Sequence, residues 1–293
     1  MAQYEWSEIF FSLEGEAQYT GWPTMYIRFA GCNFTCKGFN NPERLDTTTI
    51  EALGFDPRDY SHLKDMPLIT KGCDSQYSYN AKLFKHLWQR GDENKLAQEV
   101  VNLLPYGWVH SKSNLPVILS LTGGEPTLRQ KTIPALINHH LFKDMQYLLF
   151  ETNCSIPLRA DFIKALNEWG WNKWYRKVIW SNSPKLSVSG EDWSKAIRPE
   201  IAVSQYEVEN CEQYFKFVVD ASERDFDEVE KAMNEYYAAG VPKSDVRVYC
   251  MPVACTSFQQ EEIAAKVASL CMERGYIFCI RLQNILWSNQ VGT

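Results

Sequence analysis

The sequence predicts an α/β fold built as a partial or distorted (β/α)6 barrel, with a doubly wound open sheet as the competing arrangement. Three observations lead there. Apolar strand-like runs alternate with amphipathic helix-like runs along most of the chain. Polar or glycine-bearing motifs recur where the strand-like runs end, which is where parallel βα architectures assemble their sites. The length of 293 residues, 45% of them apolar, suits one large domain with a sizeable core.

In chain order, TMYIRFA reads as a strand, and Ala81 to Leu104 carries a helical pattern broken around Arg90 to Asn94. LPVILSLTG is an apolar strand ending in a glycine turn, Gln130 to His140 suits a helix, and MQYLLFETN is a further strand. ADFIKALNEWG reads as a helix stopping at Gly170. RKVIWSNSPK and EQYFKFVVD are strands; ERDFDEVEKAMNEYYAAG is a helix with an acidic start and a glycine stop. DVRVYCMPV, SFQQEEIAAKVASLCMERG and YIFCIRLQNIL read as strand, helix and strand. On this reading Cys32, Gly123–Gly124–Glu125, Glu151–Thr152–Asn153, Ser183–Pro184–Lys185 and Met251–Pro252 share one face. From Gly38 to Gly72 the rhythm breaks, apart from a short helix near Thr48–Leu53, so about 38–72 reads as an insertion within a single domain spanning 1–293.

Composition narrows the function. A net charge of −6 argues against broad capture of nucleic acid or of an anionic membrane. No uncharged apolar run reaches spanning length, and the N-terminus lacks the basic-then-apolar order of a secretion signal. Nine cysteines, an odd number in a chain too large to need disulfides, point to a reducing cytoplasm. Most sit in apolar runs and read as core filling; the spacing of Cys250 and Cys255 allows a second ligand pair.

The thiols at Cys32 and Cys36 follow a strand directly in GCNFTC, and Cys73 follows after 36 intervening residues in KGCDSQY. Thiolates favour zinc or an iron–sulfur cluster over magnesium or calcium. Zinc needs a fourth ligand, for which only His62 and His86 offer themselves; a cluster on three cysteines leaves one iron open to a chelating cofactor. In LTGGEPTLR, Gly123 and Gly124 permit close backbone approach, and Glu125 accepts hydrogen bonds from an amine. Neither a phosphate loop nor a dinucleotide fingerprint is present. Arg28, in an otherwise apolar strand, must face a ligand or pair internally, with Glu14 or Glu16 as partners. Lys185 reads as a carboxylate binder or a solvated lysine, and Ser75 offers oxygen to a hard cation. The histidines form no catalytic spacing.

These stretches, together with LEGE near the start, ETNC, SNSPK, YFKFVVD, VYCMPV and RLQNILWSNQVGT, resemble the radical S-adenosylmethionine superfamily, and within it the 7-carboxy-7-deazaguanine synthase family. The resemblance implies the radical SAM version of the partial barrel. It implies ring contraction of 6-carboxy-5,6,7,8-tetrahydropterin with loss of ammonia, initiated by reductive cleavage of S-adenosylmethionine. Its implied cofactors are a [4Fe–4S] cluster on Cys32, Cys36 and Cys73, S-adenosylmethionine, and Mg2+ at Ser75. Gly123, Gly124, Glu125, Glu151, Ser183 and Lys185 would bind the cofactor, and Glu14, Glu16 and Arg28 the pterin, with Ile27 and Phe29 as an apolar wall. A reductase or flavodoxin-like electron donor and a homodimer complete what it implies. The sequence departs from the family pattern in three places: Phe39 stands where the third cysteine is usual, Cys154 where glycine is usual, and Ser75 where threonine is common. A radical enzyme for another pterin, a nucleotide or a protein glycyl site, and a cluster-bearing interaction protein without catalysis, are the alternatives.

Overall fold

The computed structural model describes residues 2–293. Nine strands form one sheet: β1 (Tyr4–Leu13), β2 (Pro23–Phe29), β3 (Gln89–Gly91), β4 (Ile118–Gly123), β5 (Tyr147–Thr152), β6 (Lys177–Asn182), β7 (Cys211–Val219), β8 (Val248–Pro252) and β9 (Ile277–Phe278). Their spatial order is β3-β1-β2-β4-β5-β6-β7-β8-β9. From β2 to β9 every pairing is parallel, whereas β1 lies antiparallel to both β2 and β3. The six strands β2 and β4–β8 follow one another in chain order without a reversal, so the doubly wound alternative, which needs a switch point, is excluded. Among the described residues β3 and β9 remain as edges, and the barrel is open.

Strand alternation separates two environments. Met25, Ile27 and Phe29 of β2, Leu119 and Leu121 of β4, Leu148 and Phe150 of β5, and Val178 and Trp180 of β6 face outward. They form the main core with Leu96 and Val100 of the helix Glu93–Leu103 and with Phe162, Leu166 and Trp169 of the helix Ala160–Trp171. Phe215, Phe217 and Val219 of β7 make a second core with the helices Glu223–Ala239 and Ser257–Arg274. The concave face is different. Ile118, Leu149, Ile179, Tyr214 and Tyr249 plug it apolarly near the strand starts, while Arg28, Thr122, Glu151 and Lys216 line a cavity nearer the strand ends.

Local chemistry explains the element ends. Asp92, Ser222 and Thr256 cap three of the four longer helices by accepting from the backbone N–H of Lys95, Asp225 and Gln259. Gly240 and Gly275 close the last two in left-handed conformations at φ 118° and 75°. Gly170 does not act this way: the helix runs through it to Trp171. Tyr4–Leu13, for which no element is expected above, forms the longest strand, and the break at Arg90 is β3 pairing with Tyr4–Trp6. The final segment is only briefly a strand; after β9 it turns at Arg281 into the helix Leu282–Trp287, because Arg281 is drawn into the cavity by two carboxylates.

The 38–72 segment holds the short helix Ile50–Leu53, capped by Thr49. Its Leu63 and Ile69 pack with Tyr77, Leu83, Phe84 and Leu87 in a small cluster of their own. No helix among the described residues is long and apolar enough to cross a membrane.

Candidate functional site

A cavity of about 260 Å³ opens at the C-terminal ends of the parallel strands. Cys32, Cys36, Cys73, Ser75, Gly123, Gly124, Glu151, Ser183 and Lys185 line it, as do Glu14, Glu16 and Arg28. Of the expected site residues only Glu125 stands off the wall. It is 1% exposed, and its carboxylate accepts from Thr127 N (3.0 Å), Thr152 Oγ1 (2.8 Å) and Asn153 N (2.7 Å), bracing the loop after β4 against the end of β5.

The cysteine loop is held from three sides. Glu191 Oε1 accepts from the backbone N–H of Thr35 (2.8 Å) and Cys36 (2.7 Å), fixing Cys36 in a left-handed conformation at φ 47°. Gly31 N donates to Ser78 O at 2.7 Å, joining this loop to the chain just beyond Cys73. Gly72 N donates to Phe39 O at 2.7 Å, so the two ends of the 38–72 segment meet and Cys73 returns to the cavity. Cys32 and Cys73 pack against an apolar cluster of Phe34, Cys36 and Ala196. All three thiols are free. Burial pushes Cys32 and Cys36 up to about 12 and Cys73 well above the ordinary thiol value, so each is a neutral thiol until a metal's positive charge favours the thiolate. Among the described residues no three His, Cys, Asp or Glu side chains are gathered tightly enough to hold a metal ion as they stand.

The glycine pair is required by close approach. A Cβ on Gly124 would lie 2.0 Å from Gly31 O and 2.7 Å from Cys32 Cβ; one on Gly123, already at φ 128°, would lie 2.1 Å from Phe29 O. Gly124→Ala is therefore expected to lose about 1–3 kcal/mol, the usual cost of overpacking, in a urea melt. An unchanged melt would show that the cysteine loop yields freely.

Two charged clusters face the cavity. In the first, Arg28 Nε donates to Glu8 Oε2 (2.7 Å), Arg28 Nη1 to Ser75 Oγ (3.3 Å), and the Tyr77 hydroxyl to the same Glu8 oxygen (2.9 Å). The expected internal partners of Arg28 were Glu14 and Glu16. Glu8 takes that place because the antiparallel register sets it directly opposite Arg28. Glu8 Oε1 is buried without a partner among the described residues.

In the second cluster Glu16 accepts from Lys216 Nζ, from Arg281 Nε (3.1 Å) and from Gln283 Nε2 (3.1 Å). Arg281 Nη1 also donates to Asp74 Oδ2 (2.7 Å), beside Cys73. Burial alone would raise the Glu16 carboxyl, but Lys216 and then Arg281 outweigh it and hold the group at about 2. Lys216, 5% exposed, is penalised by burial yet kept charged by Glu16, Glu151 and Glu14.

Lys216, Arg281 and Glu8 were not singled out above. The signal that flagged Arg28, a lone charge inside an apolar strand, is equally present in YFKFVVD and YIFCIRL. Ile27 and Phe29 do not form the apolar wall: both point outward into the main core, and Phe10, Phe34, Met66 and Leu68 line the cavity instead. Cys250 and Cys255 form no ligand pair either. Cys250 lies in the helix-facing core, while Cys255 lies on the cavity wall.

No protein-family model matches the chain. Among curated proteins it is 26% identical over 285 residues to the 7-carboxy-7-deazaguanine synthase of Hyperthermus butylicus, covering 94% of this chain and 89% of that one. It is 22% identical over 285 residues to the protein of the same name from Pyrobaculum aerophilum, covering 97% and 95%. A stretch of 48 residues reaches 48% identity with the protein of that name from Chlorobaculum tepidum, covering 16% and 19%. The crystal structure of QueE from Escherichia coli superposes with a TM-score of 0.51 at 16% identity over 96% of this chain and 94% of that one, a likeness of fold.

Proposed function

From this distant kinship with 7-carboxy-7-deazaguanine synthases, we propose that the chain is a radical S-adenosylmethionine enzyme that contracts the ring of 6-carboxy-5,6,7,8-tetrahydropterin with loss of ammonia. What carries the reading is the return of Cys73 to the cavity that Cys32 and Cys36 line, through the Gly72–Phe39 hydrogen bond. Three free thiols on one wall are a donor set suited to a [4Fe–4S] cluster with one open iron. With S-adenosylmethionine bound beside it, such a cluster would supply the electron and the radical chemistry that start the reaction.

The chain's own residues bind and orient. Gly123 and Gly124 present backbone to the methionine end of the cofactor, and Ser183, Lys185 and Glu151 offer polar contacts along it. Lys185 Nζ donates to Ser183 Oγ at 3.0 Å, so the two act as one group. Glu16, kept ionised by Lys216 and Arg281, accepts N–H donors of the pterin ring. The guanidinium of Arg28, turned by Glu8, presents its remaining donors to the substrate carboxylate. Ser75 and Asp74 offer oxygen to Mg2+. Phe10, Phe34, Met66 and Leu68 limit the entry of water and of stray hydrogen donors. An external reductase or flavodoxin-like donor and a homodimeric assembly belong to the same proposal, as do a single 1–293 domain and an insertion at 38–72.

The test is anaerobic reconstitution with iron and sulfide, followed by incubation with reductant, S-adenosylmethionine and the carboxypterin, read by mass spectrometry. The expected product is 7-carboxy-7-deazaguanine. Cofactor cleavage without that product would move the assignment to another pterin or a nucleotide. Arg28→Ala is expected to lower turnover by about 100-fold, the scale of a lost charge-assisted anchor of up to ~3 kcal/mol, while iron content stays at the wild-type level. Undiminished turnover removes Arg28 from the substrate role.

A further inference from the structure

The cysteine loop has an inner and an outer face. Phe34 and Cys36 are buried, whereas Asn33 and Thr35, which alternate with them, are exposed. The thiols line the cavity on the inner side, so on the outer side only this short loop separates them from solvent.

Three elements buttress the loop, and each carries a lysine. The Tyr79 hydroxyl donates to Thr35 O at 2.6 Å, and Lys82 follows in the helix Ala81–Phe84. Arg129 Nη2 donates to Ala30 O at 2.6 Å, just before the loop, and Lys131 comes shortly after it. Ala196 packs against Phe34 and Cys36, and Lys195 precedes it in the helix Trp193–Ala196. All three lysines are exposed. Among the described residues none of them makes an ion pair.

The carboxylates of the same elements are already committed. Glu125 and Glu191 accept from backbone N–H groups, Asp46 pairs with Lys37 at 2.9 Å, and Asp192 accepts from Ser194 N at 2.9 Å. A chain of net charge −6 therefore carries unneutralised positive charge around its cysteine loop. Leu128, 45% exposed, adds an apolar contact there: its Cδ1 lies 4.0 Å from where a Cβ on Gly31 would sit.

We propose that this face is the docking site of a small, acidic, flavin-bearing electron carrier. The proposal rests on the radical reading above, which needs an electron delivered from outside. An electron passes only between centres brought close together, and on that reading the cavity side is filled by S-adenosylmethionine and the pterin. The outer face of the loop is the approach that remains. One electron crosses it: the carrier's reduced flavin is oxidised, and the cluster proposed on Cys32, Cys36 and Cys73 is reduced. Opposite charge steers such encounters, and electron-transfer pairs bury less than about 1,200 Å², so lysines around one exposed leucine suffice.

Two measurements test this, one of them independent of turnover. Calorimetric titration of the full chain, without cluster, cofactor or substrate, with a purified bacterial flavodoxin should show binding at low ionic strength. Added salt should weaken it steeply, because exposed charges are screened. The triple variant Lys82→Glu, Lys131→Glu, Lys195→Glu should bind at least about 10-fold more weakly, within the range that charge steering supplies. Lys112→Glu, Lys164→Glu, Lys243→Glu alters three exposed lysines elsewhere with the same change in net charge; it should bind as the wild type does. In the reconstituted enzyme, cleavage of S-adenosylmethionine driven by reduced flavodoxin should slow by a similar factor in the first variant. Cleavage driven by dithionite, which needs no docking, should stay at the wild-type level. No flavodoxin binding to the wild type, or equal weakening in both variants, overturns the docking site. Equal loss with flavodoxin and with dithionite means that the lysines act on the cysteine loop itself, and overturns the carrier role. A wild type that cleaves no S-adenosylmethionine even with dithionite overturns the radical reading, and the electron-carrier proposal with it.

Discussion

Replacing Cys73 by alanine is expected to abolish assembly of the proposed cluster while leaving the fold in place. The side chain is a small part of an apolar cluster anchored by Phe34 and Ala196, so its loss costs about 1 kcal/mol of packing, the scale of one or two methylene-sized groups. Its chemical cost is larger. Two thiolates remain where a cluster with one open iron needs three. Iron bound after anaerobic reconstitution should fall well below that of the wild type, and cleavage of S-adenosylmethionine should cease. Cys154→Ala is the control, because Cys154 is buried, 1% exposed and off the cavity wall; it should retain both. Normal iron and normal cofactor cleavage in the Cys73 variant would remove this residue from the site and reopen the question of a third ligand.

The second large effect is expected at Lys216. Its ammonium is buried among Glu16, Glu14 and Glu151, and Lys216→Met would leave their carboxylates facing only what Arg281 can offer. Breaking a buried ion pair from one side typically costs about 3–5 kcal/mol, because the remaining charge stays desolvated and unpaired. The pH dependence carries a definite sign. In the native protein Glu16 is depressed from its ordinary 4.5 to about 2, so its stabilising contribution is complete above pH 4.5 and is lost as pH falls toward 2. Without Lys216 the carboxylates protonate more readily, which relieves the unpaired charge. The variant's deficit should therefore be largest near neutrality and shrink in acid. Urea melts of both proteins between pH 3 and 8 measure it, and a deficit that does not change with pH would mean that Lys216 acts by packing alone.

The two charged clusters also show how far a linear reading reaches. Arg28 was legible because an unpaired guanidinium in MYIRFA is too costly to leave without a partner. Its partner Glu8 was not, because that choice depends on the β1–β2 register, and β1 itself escaped notice. Glu125 is the converse case. Its place in LTGGEPTLR suggests a ligand contact, yet its carboxylate is taken up by three neighbours from the ends of β4 and β5. The apolar wall expected at Ile27 and Phe29 fails for a related reason: strand alternation turns both toward the helices.

By itself the sequence determined the alternation of strands and helices, the convergence of their polar ends on one face, and the identity of the thiols that could meet there. Those features are local: period, capping residue, glycine and turn chemistry act within a few residues of one another. Only the tertiary structure decided that the strands keep sequential order as an open barrel, that Cys73 comes back across 36 residues to the wall it shares with Cys32 and Cys36, and that Glu16 is held by a lysine and an arginine 200 and 265 positions away. Such contacts depend on sheet order, register and loop closure, and these are settled by the burial of the whole chain at once.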